Sequence, residues 1–323
     1  MKAIDIQGDE LVWTDVADPE PGVGEILIRN HATAVNRADL VQRAGAYPPP
    51  PGASPILGLE CAGIVEAVGE GVTRHAPGDA VCALLSGGGY AERVVCPAGQ
   101  ALPIPDGVDL VDAAALPEVF ATAYLNLYME AGARVGERFL LHAGASGVGT
   151  AGIQLARAFG NPVWVTAGNA EKIARCVELG AEAGHDRHAG PFVDAVKGWT
   201  DGAGMDVILD PVGGAYLGDN VASLAVDGRL VIIGLMGGAT AELPIGVAMV
   251  KRLRVIGSTL RARTVAAKAA VMDQLEQRVW PRIAAGDIRP IVEARIPLPE
   301  AARAHELIAS DATFGKVLLT LDS

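Results

Sequence analysis

The sequence predicts an α/β protein in two parts: a doubly wound parallel sheet and a second, β-rich unit built as a partly open barrel. Three observations carry this. The run Arg138–Gly149, RFLLHAGASGVG, sets a short apolar strand against a glycine-rich turn that opens onto the helix-like segment Thr150–Arg157. From there to about residue 259, strand-like and helix-like segments alternate, as crossover helices in a parallel sheet require. Before about residue 105 the chain instead reads as many short strands punctuated by glycine and proline.

The glycine turn is the organising element. A strand, a tight turn and a helix N-terminus present backbone N–H groups and the positive end of a helix dipole to a phosphate, the Rossmann arrangement. Gly144 and Gly149 fit the outer positions of G-x-G-x-x-G, Ser146 holds the middle one, and Gly147 and Val148 follow it. The plainer alternative is a glycine turn with no ligand.

Composition narrows the function classes. Half of the 323 residues are hydrophobic, 20% are charged, and the formal net charge is −12. A strongly acidic chain is poorly suited to nucleic acid or an anionic membrane surface. Cys61, Cys82, Cys96 and Cys176 form no C-x-x-C pair, which argues against a zinc ribbon or a disulfide framework and for a reducing compartment. The opening MKAIDIQGDE lacks an apolar leader segment, and no apolar run reaches a membrane span, so a cytoplasmic protein is expected.

In chain order, Lys2–Ile6, Leu11–Thr14 and Glu25–Ala34 read as strands, and Asn36–Leu40 opens a short helix. Pro48 to Pro51 force an extended loop after Tyr47. Strands follow at Gly58–Gly69, Ala80–Leu85 and Tyr90–Cys96, then a helical pattern over Val111–Met129. Six parallel strands are expected at Phe139–His142, Val163–Ala167, Ala183–Asp186, Met205–Asp210, Arg229–Gly234 and Arg254–Thr259, in the order 3-2-1-4-5-6. Helices should start near Gly147, Ala170, Pro191, Ala215 and Pro244, and one long helix should cover Thr264–Ala285. Strands at Ile291–Ile296 and Lys316–Leu321 should rejoin the first unit. The expected domains are 1–119 with 263–323, and 120–262.

The second strand informs the choice of cofactor. NAD-binding units usually place an acid about 20 residues past the glycine turn to hold the ribose 2′-OH. Here Val163–Ala167 leads into Gly168-Asn169-Ala170-Glu171-Lys172, which leaves room and positive charge for a 2′-phosphate. Arg187, after the third strand, could reach the same place; for both cations the alternative is a solvated surface residue. The loops carrying Gly213 and Gly234-Leu235-Met236 end the fourth and fifth strands, where open α/β sheets bind ligands.

Asn36–Leu40, Gly58–Gly69, Pro77-Gly78-Asp79, Leu116-Pro117-Glu118 and His142–Gly149 together resemble the medium-chain dehydrogenase/reductases. Within these the chain is most similar to the quinone oxidoreductase group that includes zeta-crystallin. Tyr47–Ser54 and Gly234–Gly238 resemble the subgroup induced by a tumour suppressor in mammals. The likeness runs from the first strand to Phe314-Gly315-Lys316-Val317 and implies that the β-rich unit is GroES-like.

The resemblance implies that Asn36, Tyr47 and Thr122 surround nicotinamide and substrate, while Ser146, Gly147, Val148, Gly168 and Lys172 hold the phosphates. Many quinone reductases have tyrosine where this chain has Arg187. Zinc-dependent relatives carry a cysteine at the position of Asn36 and Gly-His-Glu at Gly58-Leu59-Glu60, and their four-cysteine lobe is missing, so no metal is expected. Residue-level alternatives remain: Asn36 as a helix cap, Tyr47 as a lid. The expected activity is NADPH-dependent hydride transfer to a quinone or other conjugated carbonyl in the interdomain cleft, by a homodimer. The alternatives are reduction of an enal or enone C=C bond, and an NADPH-binding protein without turnover.

Overall fold

The structure, a computed structural model, describes residues 1–321; the last two positions of the expected 263–323 segment lie outside the described residues. The chain forms two compact units, Met1–Ala121 with the chain from Leu260 onward, and Thr122–Thr259.

The second unit holds a six-stranded sheet with every pairing parallel. In space the strands run Ala183–Asp186, Val163–Ala167, Phe139–Leu141, Met205–Asp210, Leu224–Ile232 and Arg254–Gly257, the expected 3-2-1-4-5-6 order. Its interior is apolar on both faces: Leu140, Ile208 and Leu230 pack with Phe192 and Val196 on one, and Phe139, Leu141, Val207, Leu209 and Val231 are buried on the other. Such two-sided burial is why these strands read as continuous apolar runs. The fifth strand starts earlier than expected, at Leu224 rather than Arg229. Asp227 adopts φ 62° before Gly228, an irregularity that hides the strand from periodicity. The sixth ends at Gly257, two residues early.

The first unit contains a hairpin, Lys2–Gln7 with Glu10–Asp15, and a seven-stranded sheet. Its order is Val292–Pro297, Lys316–Thr320, Glu25–Val35, Glu60–Val68, Ala80–Leu84 and Ala101–Pro103, with Arg93–Pro97 also pairing with Glu25–Val35. The expected Tyr90–Cys96 strand is thus Arg93–Pro97. Tyr90 instead donates its N–H to Leu57 O and enters the core beside Ile4, Val35 and Leu298.

Proline accounts for two further corrections. The expected helix 264–285 is two, Val265–Arg278 and Trp280–Ala284, because Pro281 has no N–H to continue the ladder. The expected 111–129 helix is a 3₁₀ turn, Asp112–Ala115, then an α-helix Pro117–Tyr124 with proline first, then a π turn Leu125–Glu130. The helix expected at Pro191 begins at Val193, and that expected at Ala215 at Leu217 after a tight turn. A helix at Ala301–Ala309 was not anticipated.

Candidate functional site

The glycine turn builds the corner the sequence implies. The Phe139–Leu141 strand delivers the chain through Ala143, at φ 53°, into the helix Gly147–Ala158. Ser146 is its N-cap, and its hydroxyl accepts the Gly149 N–H at 3.1 Å, which explains serine at that position. Thr150 N–H returns to Ser146 O. Gly147 and Val148, the first two helical residues, therefore keep N–H groups without an intrahelical acceptor, a ready anion site. Gly149 is obligatory: a Cβ there would lie 2.5 Å from both Ala143 O and Gly144 O. At Gly144 it would meet Val165 Cβ at 2.6 Å.

At the tip of Val163–Ala167, Asn169 caps the helix Ala170–Leu179 by accepting the Lys172 N–H at 2.8 Å. That fixes Lys172 in the first turn, half-buried, with Glu171 exposed beside it. Arg187 N–H bonds to Ala167 O, and its guanidinium atoms lie 3.6 Å from where a Gly168 Cβ would stand. A Cβ at 168 would stand in ordinary van der Waals contact with this arginine. Arg187 thus packs against a strand tip, Ala167-Gly168-Asn169, that itself carries no acid, and Lys172 sits in the first turn of the helix that follows.

The other cofactor-side loops are zipped together. Gly214 N–H donates to Gly238 O and Gly237 N–H to Val212 O. Gly213 takes φ 80°, and a Cβ on Gly234 would lie 2.6 Å from Pro211 O. Leu235 and Met236 stand more than half exposed at the loop tip. Behind them runs a buried polar chain. Asp210 accepts N–H groups of Val212 and Gly213 and the Asn220 Nδ2. Asn220 Oδ1 then faces His142 Nε2 at 2.7 Å, so the ring donates there and accepts from Thr166 Oγ1 at Nδ1. His142 is a neutral strut for this loop.

Burial pushes the pKa of His142 down to about 4, and that of His305 likewise to about 4. As pH falls from 6.5 towards 4, the unfolded chain takes up protons that the folded one refuses, so stability falls. Asp39, raised to about 6 by burial, acts oppositely between about 6 and its ordinary 3.8. Two groups outweigh one. The urea midpoint is expected to be lower at about pH 5 than at about pH 7, and a pH series of unfolding curves checks it.

In the first unit, Asn36 sits in a buried ionic cluster that sequence reasoning did not identify. Lys316 Nζ lies 2.8 Å from Glu60 Oε1, the two side chains 4% and 0% exposed. Lys316 also donates to Asn36 Oδ1 at 2.7 Å and to Val35 O. Asn36 Nδ2 donates to Glu60 Oε1 at 2.9 Å and to Ala34 O at 3.3 Å, and Glu118 N–H satisfies Glu60 Oε2. Every polar atom of the Asn36 amide is engaged inward. Lys316→Met strands the Glu60 charge and is expected to cost about 3–5 kcal/mol of stability, measurable by urea unfolding.

Tyr47 is half-buried in the same unit. Its carbonyl accepts from Arg261 Nη1 at 3.3 Å, and that guanidinium lies 5.2 Å from the centroid of its ring. Burial and the Glu118 charge raise the Tyr47 pKa, and Arg261 offsets part of this. Among the described residues its hydroxyl makes no hydrogen bond. Thr122, buried, belongs to the second unit, where its carbonyl accepts from Asn126 Nδ2.

Two family descriptions match the chain: "Alcohol dehydrogenase GroES-like domain" over residues 22–106 and "Zinc-binding dehydrogenase" over 147–277. A quinone oxidoreductase of Rattus norvegicus is 32% identical over 310 residues, covering 95% of this chain and 92% of its own. The chain belongs to the medium-chain dehydrogenase/reductase family. Among solved structures, Escherichia coli quinone oxidoreductase complexed with NADPH superimposes with a TM-score of 0.87 at 30% identity, covering 99% of each chain. The JamJ enoyl reductase gives 0.88 at 25% identity, again over 99% of each chain.

The family name raises zinc, and the residues of this medium-chain dehydrogenase/reductase do not fit it. Asn36 and Leu59 offer no thiolate or imidazole, and the ammonium of Lys316 already satisfies Glu60 and Asn36. Among the described residues, no group of three or more His, Cys, Asp or Glu is arranged to hold a metal ion. No helix among them is long and apolar enough to cross a membrane.

Proposed function

We propose that this chain is an NADPH-dependent, zinc-independent reductase of quinones. The observation that carries the reading is the second strand tip, where Arg187 packs over Gly168 and Lys172 opens the helix that follows. Both cations suit a 2′-phosphate, and arginine serves it bidentately. Bound at this corner, NADPH supplies hydride from its nicotinamide ring. The chain's own work is to hold and orient. The Gly147 and Val148 N–H groups take the pyrophosphate, the zipped Gly213 and Gly234 loops shape the far wall, and Gly144 and Gly149 keep the backbone close.

With Asn36 engaged by Lys316 and Glu60, we assign to Tyr47, whose hydroxyl makes no hydrogen bond among the described residues, the donation to the acceptor oxygen as charge develops there. A quinone suits a site with no strong acid, because its reduced anion is stable enough to draw its proton from water. Positioning then accounts for much of the rate.

A second reading, reduction of an activated C=C bond, is favoured by the likeness to JamJ enoyl reductase. Comparing NADPH consumption with 1,2-naphthoquinone and with trans-2-hexenal separates the two. Consumption with the quinone alone supports our reading, and consumption with the enal alone replaces it. Tight NADPH binding without turnover on either leaves a binding protein.

We also propose a homodimer in the cytoplasm. Arg254–Gly257 is a sheet edge, and the neighbouring helix Ile245–Lys251 exposes Ile245, Met249 and Val250. An open edge flanked by apolar side chains needs cover, and a second copy supplies it. Light scattering is expected to give twice the chain mass, and Met249→Asp with Val250→Asp to give the single mass.

A further inference from the structure

Arg261 and Lys268 are 3% and 4% exposed, yet among the described residues neither makes an ion pair. All their hydrogen bonds go to neutral acceptors. Arg261 donates Nε to Ser86 O at 2.8 Å, Nη1 to Tyr47 O and Nη2 to Gln42 Oε1 at 2.7 Å. That uses three of its five N–H groups. Lys268 Nζ donates closely to Ser86 Oγ and at 3.4 Å to Arg261 O. The Ser86 hydroxyl has only a long contact of its own, 3.5 Å to Arg261 O.

Two buried cations side by side without an ion-pair partner are costly, and the Tyr47 ring under Arg261 offsets only part of that. Glu118 and Asp39 act on Arg261, and Glu118 on Lys268, only at longer range. The helix pattern sharpens the anomaly. Lys268 shares the buried stripe of Val265–Arg278 with Val271, Met272 and Leu275, where an apolar residue would pack without penalty. Departures of this kind mark functional positions. The partly exposed members of the cluster are Ser86 and Tyr47, and Tyr47 is the proposed acceptor donor.

We propose that Ser86, Arg261 and Lys268 form an anion-recognition site next to Tyr47, and that the acceptor carries an anionic substituent such as a carboxylate. The proposal rests on the reductase reading above for the word acceptor. Arg261 and Lys268 supply charge, and the Ser86 hydroxyl, polarised by the ammonium donating to it, supplies the outermost hydrogen bond. The same chemistry would hold a cofactor phosphate, and the test separates the two sources.

The probes are 9,10-phenanthrenequinone and its 2-carboxylate, titrated calorimetrically into protein saturated with NADPH and also followed by turnover. Wild type is expected to bind the carboxylate at least about tenfold more tightly than the neutral parent, the size of one charge-assisted hydrogen bond. Lys268→Met is expected to bring that ratio near one while the NADPH affinity holds. Lys268→Arg should retain most of the preference, and Ser86→Ala, which leaves both cations in place, should lose part of it. No preference in wild type, or a preference untouched in folded Lys268→Met, overturns the site. So does a variant that weakens NADPH instead, which would make the anion the cofactor's. Turnover of the neutral quinone without carboxylate preference sinks this inference and spares the reductase reading. Carboxylate binding without turnover does the reverse.

Discussion

Gly149→Val is expected to abolish NADPH binding at attainable concentrations, a loss of about 100-fold or more in affinity. A Cβ at 149 would stand 2.5 Å from two backbone carbonyl oxygens, so the turn must open or the helix must retreat. Either movement withdraws the Gly147 and Val148 N–H groups from a phosphate, and two charge-assisted hydrogen bonds are together worth about 3–6 kcal/mol. It also breaks the Ser146 cap, which the Gly149 N–H completes. Calorimetric titration with NADPH, paired with a melting curve to show that the variant folds, checks this. Unchanged affinity would mean the turn is no phosphate corner.

The second large effect is one of preference. Lys172→Ala with Arg187→Ala is expected to weaken NADPH by about 100-fold or more, from two contacts of about 1.5–3 kcal/mol each. NADH should change several-fold at most, because it lacks the 2′-phosphate that we propose these cations hold. The single variants should each lose about tenfold. Equal losses for NADPH and NADH would make both residues ordinary surface cations, and Arg187 packed on Gly168 a coincidence of the strand tip.

The parallel sheet was legible because its signals are local. Phe139–Leu141 and Met205–Asp210 are short apolar runs bounded by glycine, and the turn chemistry between them is distinctive. The start of the strand at Leu224 is hidden in the sequence because Asp227-Gly228 interrupts its pattern. The helix Ala301–Ala309 was missed because its buried face is Ala301, Ala304, His305 and Ile308, too small and too polar to stand out.

The site divides the same way. Gly144, Ser146 and Gly149 are neighbours in sequence and could be read as a unit. Glu60 with Lys316, and Ser86 with Arg261 and Lys268, meet across separations of 256, 175 and 182 residues. No periodicity reports such pairings. One signal was available: a lysine at position 268, in step with Val271, Met272 and Leu275, breaks an apolar stripe.

The central claim is zinc-free, NADPH-selective reduction, and one assay tests it directly. The fall in reduced-nicotinamide absorbance is followed with 1,2-naphthoquinone, comparing kcat/KM for NADPH and NADH, each with and without a metal chelator. The account predicts oxidation that favours NADPH by about 100-fold or more and ignores the chelator. Equal use of NADPH and NADH, or activity that the chelator removes, would contradict it.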